Sequence, residues 1–211
     1  MFKTLDTTTW KRRDVFHFFR KFDDPFFNVC ANVDVTRLFD FCKKSKLSFS
    51  LASLYCSTNA ANAIEEFRMR LVGGEVRCYD VVHPSLTVLH DDETFSFCYL
   101  EMRPELRSFV SLGREKIDEQ LRTRDLNPGD DEHDKLHYSI MPWVSFTAVK
   151  HARRFGREES VPKLVFGKTF EENGQWKMPV SVEANHALMD GLHVGRYFQL
   201  FQRELDGSSA V

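Results

Sequence analysis

An α+β fold, a two-layer sandwich of flanking helices on a mixed, mostly antiparallel sheet, is predicted by three features of this chain. Helical apolar spacing occupies the stretch up to about Ile64. From Phe67 onward the pattern changes to alternation, in runs separated by glycine or acidic turns. Helical spacing returns between Glu105 and Arg122 and again from Val194 to Leu205.

In chain order, Thr7, Thr8 and Thr9 offer N-caps for a first helix over Trp10 to Phe19, with Trp10, Val15, Phe18 and Phe19 on one face. Asp34 caps a second helix carrying Leu38, Phe41 and Cys42, and Ser48 or Ser50 a third running to about Ile64. On this reading two or three helices precede any strand. Arg68 to Val72 and Glu75 to Val82 form a hairpin around Gly73-Gly74, and Ser85 to His90 and Thr94 to Met102 a second around three acidic residues. A long amphipathic helix then carries Leu106, Phe109, Leu112, Ile117 and Leu121 on one face. Asp125 to Asp134 is a solvated acidic loop. His137 to Val149 is strand-like but interrupted by Pro142, and a last hairpin joins Leu164–Phe170 to Gln175–Ala184 through Glu172-Asn173-Gly174. Trp176, Met178, Val180, Val182 and Ala184 share one parity with His186, so a continuing strand turns that imidazole toward the apolar face.

With 211 residues the chain is read as one domain, 1–211; a second would be crowded. Its 29 basic and 31 acidic residues nearly cancel, which removes the electrostatic footprint of nucleic-acid or anionic-membrane binding. No apolar run is long enough to span a bilayer and the start shows no secretory signal, so the expected location is the cytoplasm. The five cysteines are odd in number and lack a CxxC, which points to reduced, mostly buried thiols. Twenty phenylalanines exceed ordinary packing needs and suggest a lined pocket or a subunit interface. His133 and His137 would suit a metal only on a helix, and the loop around Gly129 opposes one, so no metal site is assigned. Neither a Walker loop nor a GxGxxG is present.

The sharpest motif is His186-Ala187-Leu188-Met189-Asp190-Gly191, a histidine at a strand end followed by an aspartate and a turn glycine. It reads either as a satisfied core histidine beside a turn aspartate or as a base facing a cleft, with Asp190 paired to a cation elsewhere.

Further segments stand in order along the chain: Trp10-Lys11-Arg12-Arg13 with Phe16 and Phe18-Phe19-Arg20, then Glu65 to Arg70, Thr87 to His90 and Glu93 to Ser96. They continue through Ser139 to Phe146 and Pro179 to Val182 into His186-x-x-x-Asp190-Gly191-x-His193-Val194. In these segments the chain resembles the classical trimeric chloramphenicol acetyltransferase family. The resemblance implies a homotrimer with active sites between subunits, and acetyl-coenzyme A as co-substrate with no permanently bound cofactor. It implies His186 as general base, Ser139 as oxyanion donor, and Asp190 paired to Arg12 to fix the turn. Phe18, Phe19, Phe27, Phe95 and Val165 fall at acceptor-side positions, and Lys168 matches a family lysine or is simply a solvated charge. Departures also gather on the acceptor side: Val165 replaces a threonine, Phe19 a tyrosine and Asn185 a histidine, and Asp23 sits near an apolar pocket position. The expected activity is acetyl transfer to a hydroxyl of chloramphenicol. The alternatives are another small hydroxyl acceptor, or a trimeric protein that binds an aromatic ligand without turning it over. Lipoyl-dependent acyltransferase cores share the H-x-x-x-D-G turn, but no lipoyl domain or linker is seen.

Overall fold

A computed structural model describes residues 1–126, 133–153, 156 and 158–207. Its order is β1 (Phe2–Leu5), α1 (Arg13–Phe19), β2 (Phe26–Asp34), α2 (Thr36–Ser45), α3 (Phe49–Asn62), a 3₁₀ turn (Glu65–Arg68), β3 (Met69–Val72), β4 (Glu75–Tyr79), β5 (His83–Leu89) and β6 (Phe95–Tyr99). There follow α4 (Leu106–Thr123), β7 (Lys135–Met141), β8 (Lys163–Gly167), β9 (Phe170–Glu172), β10 (Gln175–Asn185) and α5 (Gly191–Gly207). The large sheet runs β2-β10-β8-β7-β5-β6, with β9 also on β10; β5–β7 and β7–β8 are parallel and the other pairs antiparallel. A small sheet orders β1-β4-β3.

Register explains the two layers. Val29, Val182, Leu164, Tyr138, Leu86 and Cys98 form one row across all six strands and face the core under α2 to α5. The next row, Cys30, Ser181, Val165 and Ser139, points to the opposite face. A second core joins Phe16 of α1 to Met69, Leu71, Val76 and Cys78 of the small sheet and to Ala187 and Leu188. The α+β expectation therefore holds, as do the three hairpins. Gly73-Gly74 and Asn173-Gly174 each adopt the paired positive φ of a tight two-residue turn.

Three expectations need correction. Strands β1 and β2 precede and follow α1, so helices do not open the fold. The alternation of Phe27, Val29, Ala31 and Val33 already carries the period of β2, but its partner β10 lies some 150 residues on. Helix α1 starts only at Arg13, because Asp6 captures the threonines: Thr8 donates from its amide at 2.9 Å and Thr9 from its hydroxyl at 3.0 Å. Its buried face carries Phe16, while Val15 and Phe18 are exposed. Along α4 the buried positions are Leu106, Phe109, Val110, Gly113 and Gln120, and Leu112 and Leu121 face outward.

Smaller points agree. Asp34 accepts the Thr36 amide at 2.9 Å at the start of α2, and Ser48 rather than Ser50 caps α3. Pro142 follows directly on the end of β7. The cysteines are free, four of them buried and Cys30 partly so. The acidic loop largely falls outside the described residues. His137 lies within β7, so His133 and His137 do not share a helix face. No helix among the described residues is long and apolar enough to cross a membrane.

Candidate active site

Strand β10 delivers His186 at its end. The last strand residue, Asn185, stands opposite Phe26, and the His186 amide donates to the Pro25 carbonyl at 2.8 Å. The chain then turns on Asn185, whose carbonyl accepts from Leu188 and Met189 at 3.0 and 3.2 Å and whose Oδ1 accepts from Ala187 at 2.9 Å. Asn185 Nδ2 donates to the Glu159 carbonyl at 3.0 Å, so every polar atom of this side chain is engaged in holding the turn. Glu159 in turn pairs with Arg153 at 3.8 Å, and Arg153 pairs with Glu183 of β10, which also holds His151 Nδ1 at 3.0 Å.

The turn bridges both cores. Ala187 and Leu188 plug into the small core, whereas Ala184 and Met189 belong to the large one. His186 projects on the parity of Val182 and Ala184, as the alternation predicts. Its ring lies flat on Phe19, with centroids 3.9 Å apart and planes 6° apart, and Phe27 closes from 4.6 Å. The ring is 30% exposed. Nδ1 is its buried nitrogen; it lies 3.1 Å from Asp190 Oδ1 without the direction of a hydrogen bond. Nε2 makes no hydrogen bond among the described residues, which leaves it available to a ligand.

Arg12 supplies the cation Asp190 requires. Its guanidinium grips both carboxylate oxygens, NH2 reaching Oδ1 at 2.9 Å and NH1 reaching Oδ2, and NH2 also reaches the His186 carbonyl at 3.3 Å. Hydrogen bonds from Arg12 hold the Asp190 carboxyl below its ordinary value of 3.8, more than offsetting partial burial. Arg12 is almost fully buried and Asp190 about a third exposed, so the pair lies between a surface bridge and a buried one. Asp190→Asn is expected to cost about 2–3 kcal/mol, readable as a lower urea midpoint. A carboxyl lowered in the native state stabilises above its ordinary value and loses that contribution as pH falls through the native value. The stability difference between wild type and Asp190→Asn should therefore shrink as the pH falls below about 4.

Of the other expected site residues, Phe18 lies near this turn and Ser139, Val165 and Phe95 lie elsewhere. Phe18 is exposed beside Phe19 and Phe22, at centroid distances of 5.2 Å from each. Ser139 and Val165 are partners on the opposite sheet face, with Val165 buried. Phe95 stands half exposed on the edge strand β6. Ser139 is level with Ser181, five residues before His186 and two strands away; at about 3.3 Å per residue and 4.8 Å per strand the two are roughly 19 Å apart. One chain therefore gathers His186, Asp190, Arg12, Phe18, Phe19 and Phe27 in one place, pairs Ser139 with Val165 in another, and leaves Phe95 apart on β6. Asp23 lines a cavity of about 320 Å³ behind the turn, with Asn185 and Ala187 but without His186. Lys168 is exposed, its carbonyl accepting from Ser145 at 2.8 Å. The sequence reading missed the roles of Pro25 and Asn185 in shaping the turn; a short amide side chain just before a tight turn was the available signal.

Comparison with known proteins gives the same frame. A family model described as chloramphenicol acetyltransferase matches residues 1–202. A chloramphenicol acetyltransferase of Klebsiella sp is 29% identical over 206 residues, covering 97% of this chain and 94% of that protein. One of Streptomyces acrimycini is 30% identical over 195 residues, covering 91% and 89%. A solved structure of a chloramphenicol acetyltransferase superposes with a TM-score of 0.87 at 24% identity, covering 97% of this chain and all of that one. Fold, strand-end histidine turn and whole-length match converge, and the chain belongs to the chloramphenicol acetyltransferase family, acetyl-coenzyme A-dependent enzymes that acetylate hydroxyl groups.

Proposed function

We propose that this protein transfers the acetyl group of acetyl-coenzyme A to a hydroxyl of chloramphenicol, acting as a cytoplasmic homotrimer and conferring resistance to the antibiotic. The observation that carries the proposal is the His186 turn: an imidazole pinned by Phe19 and Phe27, with Nε2 unpaired among the described residues and the neighbouring carboxylate neutralised by Arg12.

Each element has a chemical consequence. His186 Nε2 removes the acceptor hydroxyl proton as the oxygen attacks the thioester carbonyl, forming a tetrahedral intermediate. The Ser139 hydroxyl donates to the developing oxyanion, a contribution of about 2.7–4 kcal/mol for one well-placed donor. Collapse breaks the carbon–sulfur bond, and the imidazolium returns its proton to the coenzyme A thiolate. No acetyl-enzyme forms. Because Arg12 neutralises Asp190, the carboxylate orients the turn without competing for the proton. The roughly 19 Å between His186 and Ser139 supports a site assembled from one chain's His186 and a neighbour's Ser139.

Thiol release from acetyl-coenzyme A, with and without chloramphenicol, tests the proposal, with light scattering for the oligomer. Release that requires the antibiotic is the expected result. A trimer that releases no thiol with chloramphenicol but does so with another hydroxyl compound would establish the second reading, a different acceptor, which the altered residues Val165, Phe19, Asn185 and Asp23 favour. Antibiotic binding without thiol release under any acceptor would instead mark a ligand-binding protein.

A further inference from the structure

Helix α5 begins in an unusual way. Asp190 occupies its N-cap, with the Asp190 carbonyl accepting from the His193 and Val194 amides at 3.0 and 3.3 Å. An N-cap aspartate ordinarily spends its carboxylate on the first free amides of the helix. Here both oxygens are engaged by Arg12, and Oδ1 also stands 3.1 Å from His186 Nδ1. The amide of Asp190 itself donates to His193 Nδ1 at 2.9 Å. This is one half of a capping box, in which the third helical residue reaches back to the N-cap amide, with imidazole in place of the usual glutamate or glutamine.

The geometry fixes the tautomer. Since Nδ1 accepts a hydrogen bond, the ring proton sits on Nε2, which lies 3.2 Å from Glu66 Oε1 in the 3₁₀ turn. Both side chains are largely buried. Burial holds His193 below its ordinary value, with Arg12 and Arg196 acting in the same direction and Glu66 and Asp190 against it, so the neutral ring that this bond requires is the favoured form.

We propose that His193 is a positioning residue for His186: by accepting the Asp190 amide it fixes the backbone of the residue whose carboxylate takes Arg12 and stands beside the His186 ring. The proposal rests on His186 being the base, but the geometry it asserts is measurable without turnover. His193 touches no reacting atom. It holds the amide of Asp190, and through the turn it sets where His186 points. Glu66 in turn holds His193, so the chain of contacts runs from the 3₁₀ turn to the imidazole.

Two variants separate this role from simple packing. His193→Leu keeps the volume and removes the acceptor, whereas His193→Gln can restore the back-reach with its amide oxygen. In His193→Leu, kcat should fall about 10- to 100-fold with the acceptor KM nearly unchanged, since small displacements of a catalytic group have effects of this size. His193→Gln should recover most of kcat, and the His186 Cε1–H nuclear magnetic resonance signal should move in the first variant and return in the second. A leucine variant with wild-type kcat and an unmoved His186 signal would overturn the proposal, as would a folded glutamine variant no better than leucine. If the leucine variant does not fold, the wild type still decides. A scalar coupling between the Asp190 amide nitrogen and His193 Nδ1, transmitted through the hydrogen bond, is expected, and its absence refutes the cap. That coupling in a protein without transferase activity would sink the proposed function and leave the cap standing.

Discussion

His186→Ala should lower kcat for acetyl transfer by about 10²- to 10⁴-fold, the usual range for a positioned general base, while leaving KM and oligomer size nearly unchanged. The separation of rate from stability follows from the site. The imidazole lies in an aromatic slot with nearly a third of its surface exposed, and its Nε2 bonds to no other described group. Deleting it removes the proton acceptor and a stacking contact but breaks no hydrogen bond that holds the turn, because those belong to the His186 backbone and to Asn185. Thiol-release kinetics beside thermal unfolding measure both quantities. Undiminished kcat in the alanine variant would remove His186 from the mechanism, whatever its position.

Ser139→Ala should cost about 10²- to 10³-fold in kcat through loss of one oxyanion donor. Its test can also locate the site. If the base and the donor come from neighbouring subunits, co-expressing His186→Ala and Ser139→Ala chains makes mixed trimers in which about one site in four joins an intact histidine to an intact serine. Activity should then exceed that of either variant alone by orders of magnitude. If each chain held a complete site, every site in the mixture would carry one lesion and no recovery would occur. The sheet register predicts recovery, since Ser139 and His186 are two strands apart and on opposite faces.

The legible parts of this fold were those encoded locally. The hairpins at Gly73-Gly74 and Asn173-Gly174 could be read because turn chemistry and alternation sit within a few residues of each other. Strand β2 was not read, although Phe27, Val29, Ala31 and Val33 alternate, because nothing beside it in sequence announces its partner β10. The face of α1 is half legible: Trp10 and Phe19 do pack on the small core, but its deep contact is Phe16, and Val15 and Phe18 are left to the surface. In the site, the inward turn of His186 followed from strand parity. The meeting of Arg12 with Asp190 spans 178 positions and entered only through family likeness. Asn185 and His193 were visible as letters but not as anchors, since each acts through backbone groups whose placement depends on the finished turn.

The turn that carries His186 is wedged between two hydrophobic cores, and this has a dynamic consequence. Leu188 cannot leave the small core, nor Met189 the large one, without opening the packing of that core. The amides of Leu188 and Met189 should therefore exchange with solvent only through sub-global openings, far more slowly than is usual for a connection between a strand and a helix. Rigidity at His186 is thus set by residues distant from it, such as Leu71 and Val76, and substitutions in the small sheet should loosen the turn before they unfold the protein. The exposed side chains of Phe18 and Phe22 carry no such load.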